Sequence, residues 1–246
     1  MKRKALFLIL YFFACLPCRG LFAQDALSDS ALNARSLSAV RAQYMKSVGI
    51  NSYLYNGIAY ERYWNRTVGH PFFMTEEFQQ GSVNYDGTLY ENVPLSYDML
   101  RDVLVTKTFS KENNIQLLGE KVYSFTIGTH AFVRVVADSS NNSLIATGFY
   151  EKLHGGNIVV LFRRVNKIEL SAKAEDNTSK FTEYDHYYIV KDGKYHAVEG
   201  EGDLQSVFKD QKAEIRKFLN RRDINYKKDP PKTIVQTVSF YEQLKK

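Results

Sequence analysis

Between Ile50 and about Glu199 the chain repeats short runs rich in Val, Ile, Tyr, Phe and Thr, separated by turn-prone pairs. Alternation at a period of two is the pattern of half-buried strands. Asn56-Gly57 stands between residues 52–55 and 58–64, Asp86-Gly87 between 82–85 and 88–93, and Asp192-Gly193 between 184–191 and 194–198. Both residues of such a pair accept positive φ, which a two-residue hairpin turn demands. Further strands are predicted over residues 99–106, 115–118, 122–127, 131–136, 143–153 and 158–170, with turns at 139–142 and Gly155-Gly156 and a polar loop over 174–180.

Helical spacing is confined to the two ends. Leu37, Val40, Tyr44 and Val48 share a stripe that Ser28, Asp29 or Ser30 can cap and Gly49 can end. Near the C-terminus, Asp203 is the expected cap of a run with Leu204, Val207, Phe208, Ile215, Phe218 and Leu219 on one face. A last helix is predicted to begin at Asp229, with Pro230 at its first position and Ile234, Val238, Tyr241 and Leu244 as its apolar stripe. No long helical pattern interrupts the strands, so parallel crossovers and a doubly wound nucleotide-binding architecture are not expected. The predicted fold is mainly β (α+β). It is a curved or partly closed antiparallel β meander of about ten strands, with an N-terminal helix and a C-terminal helix pair at about 203–220 and 230–244.

The first residues change the picture of where this fold works. Lys2, Arg3 and Lys4 precede an apolar run over residues 5–14, and Ala23 follows as a small residue at a cleavage position. That order is the pattern of a secretory signal over residues 1–23, and the run falls well short of the roughly 20 apolar residues that span a bilayer. The expected organisation is therefore a cleaved leader, a helix or tether over 24–49, and one β-rich domain over 50–246. Export to the periplasm or the outer membrane, or beyond it, follows. No transmembrane segment is expected after cleavage. Cys15 and Cys18 would leave with the leader; neither follows the leucine-then-small pattern of a lipidated cysteine.

Removing Lys2, Arg3, Lys4 and Arg19, with no acid beside them, lowers the formal charge from +6 to +2. Residues 203–246 hold 11 Lys and Arg against 6 Asp and Glu, whereas residues 24–202 hold 18 against 21. A basic tail on a slightly acidic body can meet an anionic surface, so peripheral membrane contact through the C-terminal helices is an expectation. Export and the small net charge argue against nucleic acid as a partner.

Four stretches carry a family resemblance. They are Tyr55-Asn56-Gly57 with Gly69-His70-Pro71-Phe72-Phe73; residues 81–87 running into Tyr90, Asn92-Val93-Pro94-Leu95 and Tyr97-Asp98; residues 148–153 with Arg163-Arg164 and Lys167; and Leu204, Val207-Phe208-Lys209-Asp210, Lys228-Asp229 and Tyr241. Together with Phe22-Ala23-Gln24, this layout resembles uncharacterised exported proteins of the Bacteroidota type. The resemblance implies an envelope location and no activity.

Chemistry-bearing patterns are sparse. The histidines His70, His130, His154, His186 and His196 show no pair at zinc-ligand spacing, and no cofactor motif is present. Glu183 and Asp185 share one face of a predicted strand and His186 the other, so the three do not converge. There is no Gly-x-Ser-x-Gly elbow, and no catalytic residue is assigned. The 17 tyrosines are more suggestive, because a ring with a polar tip suits a glycan or peptide in a sheet concavity. Tyr85, Tyr90, Tyr97, Asp98, Arg163 and Arg164 are the candidate ligand-binding residues. The expected function is that of a non-enzymatic envelope protein acting by binding or assembly, with an envelope protein or glycan as partner. A secreted hydrolase would instead need two or more of Asp98, Asp102, Glu151 and His154 in one cleft, and a lipocalin-like carrier would need a hollow sheet interior.

Overall fold

A computed structural model describes Ser36, Val40 and Gln43 and residues 53–63, 67–137, 144–170 and 179–245. The expected leader lies outside the described residues, as does most of the helix expected over 24–49, in which the three described residues are helical. The chain divides after Gly49, and the architecture below is that of Ile50–Lys246.

Among the described residues twelve strands join in one sheet: β1 (Ile58–Ala59), β2 (Thr67–Val68), β3 (Gln79–Tyr85), β4 (Thr88–Asp98), β5 (Val103–Lys107), β6 (Asn114–Gln116), β7 (Val122–Ile127), β8 (His130–Val135), β9 (Gly148–Gly155), β10 (Val159–Leu170), β11 (Ser179–Lys191) and β12 (Lys194–Ala197). Their order is β1-β6-β5-β4-β3-β7-β8-β9-β10-β11-β12. Two antiparallel meanders, β3 to β6 and β7 to β12, are thus joined where β7 returns beside β3. The exception to antiparallel pairing is β2, which runs parallel to β11 at Ser179 and Lys180.

Local turn chemistry explains the hairpins. Asp86 and Gly87 have φ of 52° and 79°, and Asp192 and Gly193 have 52° and 72°, as a two-residue turn with both residues left-handed requires. Asn56-Gly57 does not make a hairpin. Residues Tyr53–Tyr55 before it form a short 3-10 turn rather than a strand, and β1 after it pairs with β6. Gly57 is needed there for close approach, since a Cβ would stand 2.4 Å from the Gln116 carbonyl oxygen. The strand expected from residue 99 begins only at Val103, because the Asp98 carboxylate accepts from the backbone N–H of Leu100 and Arg101 and folds that stretch into a turn.

The C-terminal helices are α1 (Glu201–Val207), α2 (Lys212–Arg221) and α3 (Pro230–Leu244). The first expected helix is broken by a 3-10 turn at Lys209–Gln211, and it starts after Gly200 rather than at Asp203, whose side chain accepts from the Glu199 N–H. The apolar stripe survives the break, with Leu204, Phe208, Ile215 and Leu219 all buried. Asp229 caps α3 as expected, accepting from the Lys232 N–H at 3.1 Å with Pro230 at the first helical position. Among the described residues no helix is long and apolar enough to cross a membrane.

The register sets Tyr90, Val83, Phe125, Phe132, Glu151, Phe162 and Tyr187 in one row across seven strands, on one face. That face is concave. Strands four places apart in a flat sheet lie about 19 Å apart, yet the rings of Tyr97 on β4 and Phe149 on β9 are 5.9 Å apart. The sheet therefore coils strongly without closing.

Candidate functional site

Polar side chains gather where the coiled sheet brings the β4–β5 turn against β9 and β10. Asp98 ends β4 and is fully buried. Its Oδ2 accepts from the hydroxyls of Tyr60 at 2.9 Å and Tyr63 at 2.7 Å, while Oδ1 accepts from the N–H of Leu100 at 2.9 Å and Arg101 at 3.1 Å. A carboxylate has about four acceptor positions, so this one is saturated. Burial, reinforced by Asp98, holds the Tyr60 and Tyr63 phenols far above their ordinary pKa. The Arg101 guanidinium lies over both rings, 4.2 Å from that of Tyr63, and donates to the Glu61 carbonyl. The unit clamps the 58–63 segment onto the sheet.

Asp102, four residues on, adopts a left-handed φ of 56° and reaches the start of β9. Its Oδ1 accepts from the Tyr97 hydroxyl at 2.6 Å and from the Phe149 N–H at 3.3 Å, and Oδ2 lies 3.4 Å from Arg163 Nη2. Gly148 makes room for it, because a Cβ there would fall 2.3 Å from Asp102 Oδ2. Arg163 also donates to the Tyr150 hydroxyl, which donates in turn to the Ala146 carbonyl. Burial first, then Asp102, lifts the Tyr97 phenol well above its ordinary pKa.

Arg164 belongs to a different cluster. Strand alternation turns it to the concave face and Arg163 to the convex one, so the two do not form the single basic pair their adjacency suggests. Arg164 lies over the rings of Phe162 and Phe73, 3.7 Å from Glu183 and 4.0 Å from Asp185. Burial raises the Glu183 pKa against the pull of Arg164. His130 also meets Phe73, edge-on at 5.0 Å, and its Nδ1 lies 2.5 Å from the buried Glu151 carboxylate. Chemically this is a hydrogen-bonded imidazole–carboxylate pair beside an aromatic ring, with the Arg164 guanidinium against the same ring. Among the described residues no group of three or more side chains is placed to hold a metal ion.

The candidate tyrosines are buried in the core. Tyr85, Tyr90 and Tyr97 are 2%, 6% and 2% exposed. Tyr97 sits within 5.4–5.9 Å of the Phe132, Phe125 and Phe149 rings, and together these rings fill the concave side. Asp98, Asp102, Glu151 and His154 each have separate partners, the last being Glu242 of α3 at 2.9 Å, and no hydrogen bond joins any two of the four. The sequence offered one missed signal, the turn-forming aspartate at 98. Nothing local marks the partners of Asp98 at Tyr60 and Tyr63 or that of Glu151 at His130.

No family model matches the chain, and neither curated proteins nor solved structures gave a match.

Proposed function

We propose that this chain is a non-enzymatic, exported protein of the cell envelope that acts by binding or assembly, with its C-terminal helices making contact with an anionic envelope surface. One observation carries the reading: the acids Asp98, Asp102 and Glu151 are satisfied within the sheet domain, while cations of the helical layer are in surplus. Asp98 has four donors, Asp102 three, and Glu151 the imidazole of His130. In the helical layer Asp210 is engaged by Lys245 at 2.8 Å, Glu214 by Lys217 at 2.8 Å and Asp223 by Lys228 at 3.6 Å. Lys209, Lys212 and Arg216 remain exposed along one side of the 3-10 turn and α2, lining a shallow depression with Lys217 and Asn220. The filled concave side weighs against a carrier of apolar molecules. The resemblance to exported Bacteroidota-type proteins and the leader pattern favour the envelope.

Sedimentation with lipid vesicles tests the contact. Phosphatidylglycerol vesicles are expected to retain the protein and phosphatidylcholine vesicles to release it, with binding falling as salt screens the charges. Replacing both Lys212 and Arg216 by Glu should abolish retention while leaving the circular dichroism spectrum unchanged. Absence of retention on anionic vesicles and on solubilised envelope at every salt concentration would refute the reading. So would turnover of a peptide or glycan that disappears in Glu151→Gln.

A further inference from the structure

The longest strand, β11, has one complete edge and one interrupted edge. Every residue from Ser179 to Val190 pairs with β10. Among the described residues the opposite edge is paired only at its ends, by β2 at Ser179 and Lys180 and by β12 from Tyr188 to Lys191. The Val198 N–H extends the second contact by one bond, to the Tyr187 carbonyl at 2.9 Å. Backbone groups alternate in direction along a strand, so those of Asp185 and Glu183 point the same way as that carbonyl, away from β10. Among the described residues no strand and no backbone hydrogen bond meets them.

The geometry points to this gap as a docking slot for an extended, lysine- or arginine-bearing segment of another polypeptide, added as a strand between β2 and β12. Such addition uses main-chain hydrogen bonds for affinity and alternate side chains for selection. The slot between the two blocked ends runs from Phe181 to His186, roughly 20 Å long. On its concave side stand Phe181, edge-on to Tyr63, and Glu183 and Asp185, both exposed and sharing the guanidinium of Arg164 at 3.7 and 4.0 Å, with Asp185 also accepting from the Tyr187 hydroxyl at 3.3 Å. On its convex side stand Thr182, Tyr184 and His186. An incoming strand would therefore set a cation towards the two carboxylates and an apolar side chain against Tyr184. A second copy of this chain is a poor occupant. Antiparallel pairing about Tyr184 would set Glu183 opposite Asp185, and like charges across a pair are destabilising. Charged side chains usually guard an edge against pairing; here they also select for the opposite charge. The inference stands on β11 and does not rest on the anionic-surface reading, which concerns the helices.

The probes are two acetylated, amidated seven-residue peptides, one alternating Lys with Val and one alternating Glu with Val, titrated onto the purified protein with backbone amide spectra as readout. The Lys peptide should bind saturably, shift the Glu183 and Asp185 amides and outcompete the Glu peptide. Asp185→Pro removes an outward N–H at an edge position that tolerates proline. It also removes one of the two selecting carboxylates, so it should bind the Lys peptide at least about tenfold more weakly, more than the loss of one backbone hydrogen bond alone. If that variant does not fold, replacing Glu183 and Asp185 together by Lys should reverse the preference between the peptides. Equal binding of the two peptides would overturn the proposal. So would slow hydrogen exchange of the 183 and 185 amides in the free protein, matching that of Tyr184 and His186, because the edge would already be covered.

Discussion

The two halves of the concave side are filled by different means. Between β3 and β9 the sheet packs on itself. Phe125 and Phe132 stack with centroids 4.6 Å apart, Phe149 meets Phe125 edge-on at 5.2 Å, and Tyr97 closes the group from β4. Between β9 and β12 the same face needs a second layer. There Val160, Phe162, Ile189 and Val198 pack under Leu204, Phe208, Ile215, Leu219, Ile234 and Val238 from the helices and their connection. The difference is one of reach. Aromatic side chains are long enough to meet across a coiled sheet, whereas a row that includes valine and isoleucine leaves a gap that only another element fills.

The aromatic half should break most sharply. Phe125→Ala deletes a ring with three aromatic neighbours, and urea unfolding should show a loss of about 3–5 kcal/mol; a loss below about 1 kcal/mol would mean that the rings are not close-packed. Asp98→Ala comes next. It strands the Tyr60 hydroxyl and the turn amides without an acceptor, for an expected cost of roughly 2–3 kcal/mol. Asp98→Asn keeps one oxygen to accept from the turn amides while its NH2 cannot accept from the phenols, so it should recover part of that loss, and equal values for both variants would assign the effect to the Tyr60 and Tyr63 hydroxyls.

Smallest at neutral pH, and shared by both halves, is the titration of the phenols. Tyr97 in the aromatic half and Tyr187 beneath the helices both have a pKa raised first by burial and then by a neighbouring aspartate. A folded pKa above the unfolded value of 10.0 means that the protonated ring is favoured in the fold. The associated stability is complete below that pH and is lost as pH rises through the folded values. Unfolding followed against pH should show no change near neutrality and a decline in alkali. Tyr97→Phe and Tyr187→Phe should each flatten that decline, and a profile unaltered by both would place the ionising groups elsewhere.

The sequence determined what depends on a few neighbouring residues. Asp86-Gly87 and Asp192-Gly193 specify their hairpins because positive φ is a local requirement, and Asp229-Pro230 specifies the start of α3 because a cap and a fixed φ are local too. Alternation likewise sends Arg163 and Arg164 to opposite faces. What it did not determine depends on contacts between distant segments. Asn56-Gly57 serves a close approach to β6 rather than a hairpin, and apolar Met99-Leu100 turn because the buried Asp98 collects donors from 35 and 38 residues away as well as from the turn. Only the tertiary structure decided that the tyrosines proposed for a ligand are buried and that, among the described residues, no strand pairs with the outer edge of β11 between Phe181 and His186. Side-chain burial and strand neighbours follow from how the sheet coils, and that coiling is a property of all its strands together.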